Sequence, residues 1–105
     1  MNNKITVLIA DDNSDFSATL AGYVKAEDDL ELIGMARDGI EAYDMIKNAE
    51  PDIVLLDVIM PRLDGLGVLE KINEGNINKI PMCIMLSAVG QDKITQKAIN
   101  IGAQY

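Results

Sequence analysis

Ile5-Thr6-Val7-Leu8-Ile9-Ala10-Asp11-Asp12 is a short, β-branched, almost continuously apolar run that stops abruptly at two carboxylates. A run of this kind suits a central strand of a parallel sheet, where both faces are covered and no polar side is needed. Two further segments have the same character: Ile53-Val54-Leu55-Leu56, which ends at Asp57, and Met82 to Leu86. Leu30 to Ala36 reads as another strand, alternating enough to lie at or near an edge.

Between the strands the apolar spacing turns helical. Phe16, Leu20 and Val24 form one stripe, Ile40, Tyr43 and Ile46 a second, Leu66, Leu69 and Ile72 a third, and Ile94, Ala98 and Ile101 a fourth. Stripes at i, i+3 and i+4 mark helices that lay one face on the sheet. Asn13 and Ser14 can cap the first helix, Asp38-Gly39 opens the second, Asp64-Gly65 makes a turn and starts the third, and Gly102 follows the last as a C′ glycine should. Pro51 and Pro81 precede strands. The order β-α-β-α-β-α-β-α implies a doubly wound α/β fold, a parallel sheet with right-handed crossovers and helices on both sides. Ala103-Gln104-Tyr105 reads as the start of one more strand.

Composition narrows the chemistry. The chain has 105 residues, 49% of them hydrophobic, 25% charged, and a net charge of −8, with a mean hydropathy of +0.10 and a pI near 4.3. This is one domain, residues 1–105, with enough apolar surface for a core. The acidic balance argues against direct binding of nucleic acid. With no His at all, imidazole acid/base chemistry, His metal ligation and Ser-His-Asp triads are excluded. The lone Cys83 sits in an apolar run and reads as a buried structural thiol, which suits a reducing cytoplasm. No stretch approaches the length of a membrane span or has the plan of a signal peptide.

Carboxylates must then carry the function. In open α/β sheets a ligand sits beyond the carboxyl ends of the strands, where the strand order reverses. If the first and third strands are neighbours, about 4.8 Å apart, then Asp11, Asp12 and Asp57 converge. Like charges that close need compensation, and a hard divalent cation such as Mg²⁺ supplies it. Helix capping by Asp11 and Asp12 needs only one acid and leaves Asp57 unexplained. A calcium loop over Asp11, Asn13 and Asp15 is excluded, because Phe16 and Gly22 stand where such a loop needs Gly and Glu.

These residues resemble the receiver domains of bacterial response regulators. The likeness consists of Asp11-Asp12 after the first strand, Asp57-Val58-Ile59-Met60-Pro61 from the end of the third, Asp64-Gly65, and Ser87-Ala88 at the end of the fourth. Ala10 to Asn13, Met60 to Leu66 and Leu86 to Gln91 are similar to receivers of the sporulation branch of that family. The resemblance implies a flavodoxin-like fold with strand order 2-1-3-4-5 and a phosphorylation-dependent signalling switch, not a turnover enzyme. It implies that Asp57 accepts a phosphoryl group and that Ser87 is the switch hydroxyl. Asp11, Asp12, Asp57 and the backbone carbonyl of Ile59 would hold Mg²⁺, with Mn²⁺ or Ca²⁺ as substitutes. Asn13, Asp15, Phe16 and Thr19 would form the face that docks a histidine kinase or phosphotransferase. Ile59 and Val89 would flank the path of hydrolytic water.

Receivers continue through a fifth strand, a switch Lys followed by Pro, and a fifth helix, whereas this sequence stops at Tyr105 and contains no residue at the Lys position. The expectation is a C-terminally incomplete receiver without its DNA-binding domain. Its fourth strand would present an apolar edge for self-association or exchange of elements with a second copy. Two other functions suit the same fold less well. Flavodoxins cradle a phosphate after the first strand, where Asp11-Asp12 would repel it. Phosphatases of the haloacid dehalogenase type want a second Asp two residues after the nucleophile, where Ile59 stands.

Overall fold

The computed structural model describes residues 4–86. Within them the elements run β1 (Ile5–Ala10), α1 (Ser14–Ala26), β2 (Leu30–Ala36), α2 (Gly39–Ala49), β3 (Ile53–Asp57), α3 (Gly65–Asn73) and β4 (Met82–Leu86). The four strands are parallel in the order β2-β1-β3-β4, as a doubly wound sheet requires, and β2 lies at an edge as its alternation suggested. The expectations for Ser87, Val89, the stripe Ile94, Ala98 and Ile101, Gly102 and a fifth strand at Tyr105 fall outside the described residues.

Period-two alternation divides the core into two layers. Leu8, Ala10, Val54, Leu56 and Cys83 point to one face, where Ala42 and Ile46 of α2 and Val68, Leu69 and Ile72 of α3 cover them. Val7 and Ile9 point to the other face, against Ala21 and Val24 of α1, with Ile53 and Leu55 partly buried beside them. Cys83 is buried, and burial pushes its thiol up to about 11, as expected of a structural cysteine.

Each helix starts where its cap is. Asn13 accepts a hydrogen bond from the Phe16 amide at 3.0 Å, Asp38 from the Glu41 amide at 2.8 Å, and Asp64 from the Gly67 amide at 2.8 Å. The helix stripes are rotated from their expected positions. In α1 the buried face is Ser17, Ala21 and Val24, and Phe16 is exposed; in α2 it is Gly39, Ala42 and Ile46, and Ile40 is exposed. Small side chains let a helix axis come close to the sheet, so Ser, Ala and Gly take the contact and the bulkier neighbours are turned outward.

A second set of bonds closes the opposite end of the sheet. The Asp52 carboxylate accepts from the amide and hydroxyl of Thr6 at 2.9 and 3.0 Å, the Thr6 hydroxyl accepts from the Asp52 amide at 2.9 Å, and the Lys79 ammonium pairs with Asp52 at 2.5 Å. The starts of β1 and β3 are thereby joined to the segment before β4.

A candidate acid site at the carboxyl ends of β1 and β3

β1 and β3 are hydrogen-bonded neighbours in register, with Ala10 opposite Leu56. The next residue on each strand is therefore Asp11 on one and Asp57 on the other, side by side at the end of the sheet. This is the point where the strand order reverses, since β1 is followed by a crossover to β2 on one side and β3 lies on the other. Asp12 follows in the turn. Carboxylate oxygens of Asp11, Asp12 and Asp57 lie within 4.8 Å of one another.

The three acids have unlike surroundings. Asp11 is only 4% exposed; one carboxylate oxygen accepts from the Asn13 amide at 2.8 Å, and its carbonyl accepts from the Ser17 hydroxyl at 3.2 Å. Asp12 is exposed and Asp57 half-buried. One oxygen of Asp57 accepts from the Ile59 amide at 3.3 Å. Burial raises the Asp57 carboxyl above the usual carboxylate range, the Ile59 amide opposes that, and the charges of Asp11 and Asp12 add to the rise.

Among the described residues the ion pairs are Arg62–Asp38 and Lys79–Asp52, and neither reaches this cluster. The donors are hard carboxylate oxygens from three residues, with no imidazole in the chain. That set fits a hard divalent cation that keeps several waters, and it fits a soft metal poorly.

Asn13, Asp15, Phe16 and Thr19 are exposed on the first turns of α1, beside the acids. Asn13 is also the cap, and the Thr19 hydroxyl donates to the Asp15 carbonyl at 3.1 Å. Phe16, at 44% exposure, is an apolar knob in a polar rim, and Ile59, at 62%, stands open to solvent on the loop after β3. Asp64 caps α3 and takes no part in the cluster. Ser87 and Val89 lie outside the described residues.

Two features were not anticipated. A cavity of about 310 Å³ lies on the Asp11 side, lined by Asp11, Ser14, Ser17, Met35, Ala36 and Arg37. Ser17 is buried there although it is polar. Ser17, Ala21 and Val24 are spaced i, i+4 and i+7, but Ser and Ala carry too little hydrophobicity for that spacing to mark a buried face in the sequence. The second is the pair Asp38 and Arg62, which links two loops 24 residues apart.

A doubly wound α/β domain with an acid cluster at its switch point is the class that fold and site define. The chain belongs to the response regulator receiver domain family, whose profile matches residues 7–105. Solved structures agree. The response regulator domain of CheB from Thermotoga maritima is 29% identical with a TM-score of 0.88, over 97% of this chain and 75% of that one. The signal receiver domain of NarL from Mycobacterium tuberculosis is 28% identical with a TM-score of 0.88, over 95% and 79%. The structure of the CheX-CheY-BeF₃-Mg²⁺ complex from Borrelia burgdorferi contains a chain 33% identical, with a TM-score of 0.80, over 95% and 74%. Receivers are the phosphorylation-based signalling domains of two-component systems, bind Mg²⁺ in an acidic pocket, and work with histidine kinases or phosphotransferases and with effector domains. Among the described residues no helix is long and apolar enough to cross a membrane.

Proposed function

We propose that this domain is a phosphoacceptor switch in which Asp57 takes a phosphoryl group from a phosphohistidine of a kinase or phosphotransferase. The observation that carries it is the convergence of Asp11, Asp12 and Asp57 within 4.8 Å at the switch point of the sheet. An oxygen of the Asp57 carboxylate attacks phosphorus as the phosphorus–nitrogen bond of the donor breaks. The imidazole leaves with the electron pair and takes a proton from solvent, and the product is an acyl phosphate.

Asp11, Asp12, Asp57 and the carbonyl of Ile59 would hold Mg²⁺, with Mn²⁺ or Ca²⁺ as substitutes. Bound there, the cation offsets the charge of the carboxylates and of the incoming phosphoryl group. Asp11, buried and tied to the Asn13 amide, keeps its carboxylate aimed at the site. The Ile59 amide holds one oxygen of Asp57. Ser87 would donate its hydroxyl to the phosphoryl group. The donor would dock on Asn13, Asp15, Phe16 and Thr19, with Phe16 as its apolar anchor.

The same proposal extends to the whole regulator. Likeness in Ala10 to Asn13, Met60 to Leu66 and Leu86 to Gln91 supports a receiver that controls a transcription regulator of sporulation initiation in the cytoplasm, through a DNA-binding domain on the same polypeptide. Residues 1–105 are then the receiver alone. Self-association through the outer edge of β4 belongs to this picture: among the described residues no strand pairs with that edge, and Ile84, Met85 and Leu86 are only half-buried.

Acetyl phosphate with Mg²⁺ and intact-mass measurement test the assignment. The expected result is an adduct of about 80 Da that Asp57→Asn abolishes, with Asp12→Ala needing more Mg²⁺ to form it. An adduct on Asp57→Asn at the unmodified rate would overturn the acceptor assignment. Turnover of a phosphoester would favour a haloacid-dehalogenase-type phosphatase, and a yellow complex with FMN a flavodoxin-like module.

A further inference from the structure

The segment between Asp57 and α3, residues 58–64, is fastened at its base and again at its apex. At the base the Gly65 amide donates to the Val58 carbonyl at 2.8 Å, and there is no room for a Cβ on Gly65 against the Asp57 carbonyl. Near the apex the Leu63 amide donates to the Pro61 carbonyl at 2.8 Å. Between them Arg62 has a φ of 68°, in the left-handed region that favours glycine. Something must offset that backbone cost. The Arg62 guanidinium lies 2.9 Å from one oxygen of Asp38, while the other oxygen of Asp38 caps α2 through the Glu41 amide at 2.8 Å. The Asp38 side chain is 17% exposed and that of Arg62 63%. The next residue on each side seals the contact, because Gly39 sits against the Leu63 carbonyl with no space for a side chain.

We propose that Asp38 and Arg62 are positioning residues for the acid site: their ion pair latches residues 58–64 to the N-terminus of α2 and so holds Ile59 beside Asp57. The effect on cation binding rests on the acid cluster being the cation and phosphoryl site described above. Neither side chain hydrogen-bonds to Asp11, Asp12 or Asp57 among the described residues, so any influence passes through the loop. What the latch orders is the Ile59 backbone, whose amide holds the acceptor carboxylate at 3.3 Å. Without it the loop keeps its base but samples other apex conformations, and the geometry offered to a cation is less often the right one.

The sign of the effect separates a latch from simple charge. Arg62→Gly removes a positive charge, which by itself favours cation binding; Asp38→Asn removes a negative one, which by itself disfavours it. Asn caps a helix about as well as Asp, and Gly is free of strain at a positive φ, so both variants keep the fold. A latch makes both weaken Mg²⁺ binding, by about threefold for an exposed pair, with the double variant no worse than either single one. Arg62→Lys, which still offers Asp38 a cation, recovers most of the affinity.

The test is titration of the full chain with Mg²⁺ by calorimetry, together with hydrogen exchange of the Ile59 amide in the metal-free protein. Weaker Mg²⁺ binding and faster Ile59 exchange in both single variants support the latch. Opposite shifts in Mg²⁺ affinity, additive losses in the double variant, or unchanged Ile59 exchange overturn it. If the unmodified chain binds no Mg²⁺, it is the cation reading of the acid site that fails, and Ile59 exchange still decides whether the latch exists.

Discussion

Three carboxylates at this site differ because their neighbours differ. Asp11 is enclosed and hydrogen-bonded, Asp12 is exposed, and Asp57 is half-buried with its carboxyl raised. An acceptor must be reachable from solvent, and Asp57, held at one oxygen by the Ile59 amide, is only half-buried. Ile59 is itself 62% exposed on the loop that follows β3. An alkyl group cannot hydrogen-bond a water molecule, whereas an amide or carboxylate in its place can aim one at an acyl phosphate. Ile59→Asn is therefore expected to shorten the life of the phosphorylated form, by about tenfold or more if the amide acts as a positioned water acceptor. Phosphate release after removal of the donor measures it, and an unchanged rate would show that the water path lies elsewhere.

At the scale of elements, the acid site is set at one end of the sheet and the sheet is locked at the other. The lock is Asp52, which accepts from the amide and hydroxyl of Thr6 at the start of β1 and pairs with Lys79 ahead of β4. The Lys79 ammonium, followed by the Thr6 donors, lowers the Asp52 carboxyl from 3.8 to about 2. A carboxyl whose value falls on folding stabilises the native state when ionised. That contribution is fully present above the unfolded value and disappears as pH falls through the folded one. Asp52→Asn should accordingly be less stable than the unmodified chain at neutral pH, and the gap should narrow as pH falls from about 4 to about 2. Denaturant melts across that range test it, with a constant gap as the contrary result.

For the molecule as a whole, a net charge of −8 and a triad of acids at one point make cation binding and folding stability the same question. The like charges at the site oppose the native state, and a bound cation removes that opposition while favouring the folded form by mass action. At Mg²⁺ a hundredfold above its dissociation constant the gain is about 2.7 kcal/mol. Thermal melts should move up on addition of Mg²⁺ and return on chelation. Asp57→Asn should begin more stable than the unmodified protein without the cation, because one repulsive charge is gone, and should gain less when Mg²⁺ is added. An equal gain in both proteins would place the cation away from Asp57.

How much of this was legible beforehand depended on how far apart along the chain the cooperating residues are. Strands, helix caps and the acids at the ends of β1 and β3 could be read from spacing alone, because apolar periodicity and capping act over three or four residues and are written in the local order of side chains. The resemblance carried by Asp11-Asp12, Asp57 and Pro61 added the strand order. The inward faces of α1 and α2 could not be read that way, since Ser17 and Gly39 are buried by the close approach of helix to sheet and not by their own hydrophobicity. Nor could the bond between Asp38 and Arg62, or the one between Thr6 and Asp52, whose partners lie 24 and 46 residues apart. Within residues 4–86 the sequence by itself determined which segments become strands and helices and that carboxylates end two of the strands. Only the tertiary structure decided that those carboxylates meet within 4.8 Å and that a loop beside them is tied to α2, because parallel register and crossover packing bring together groups that no local rule connects.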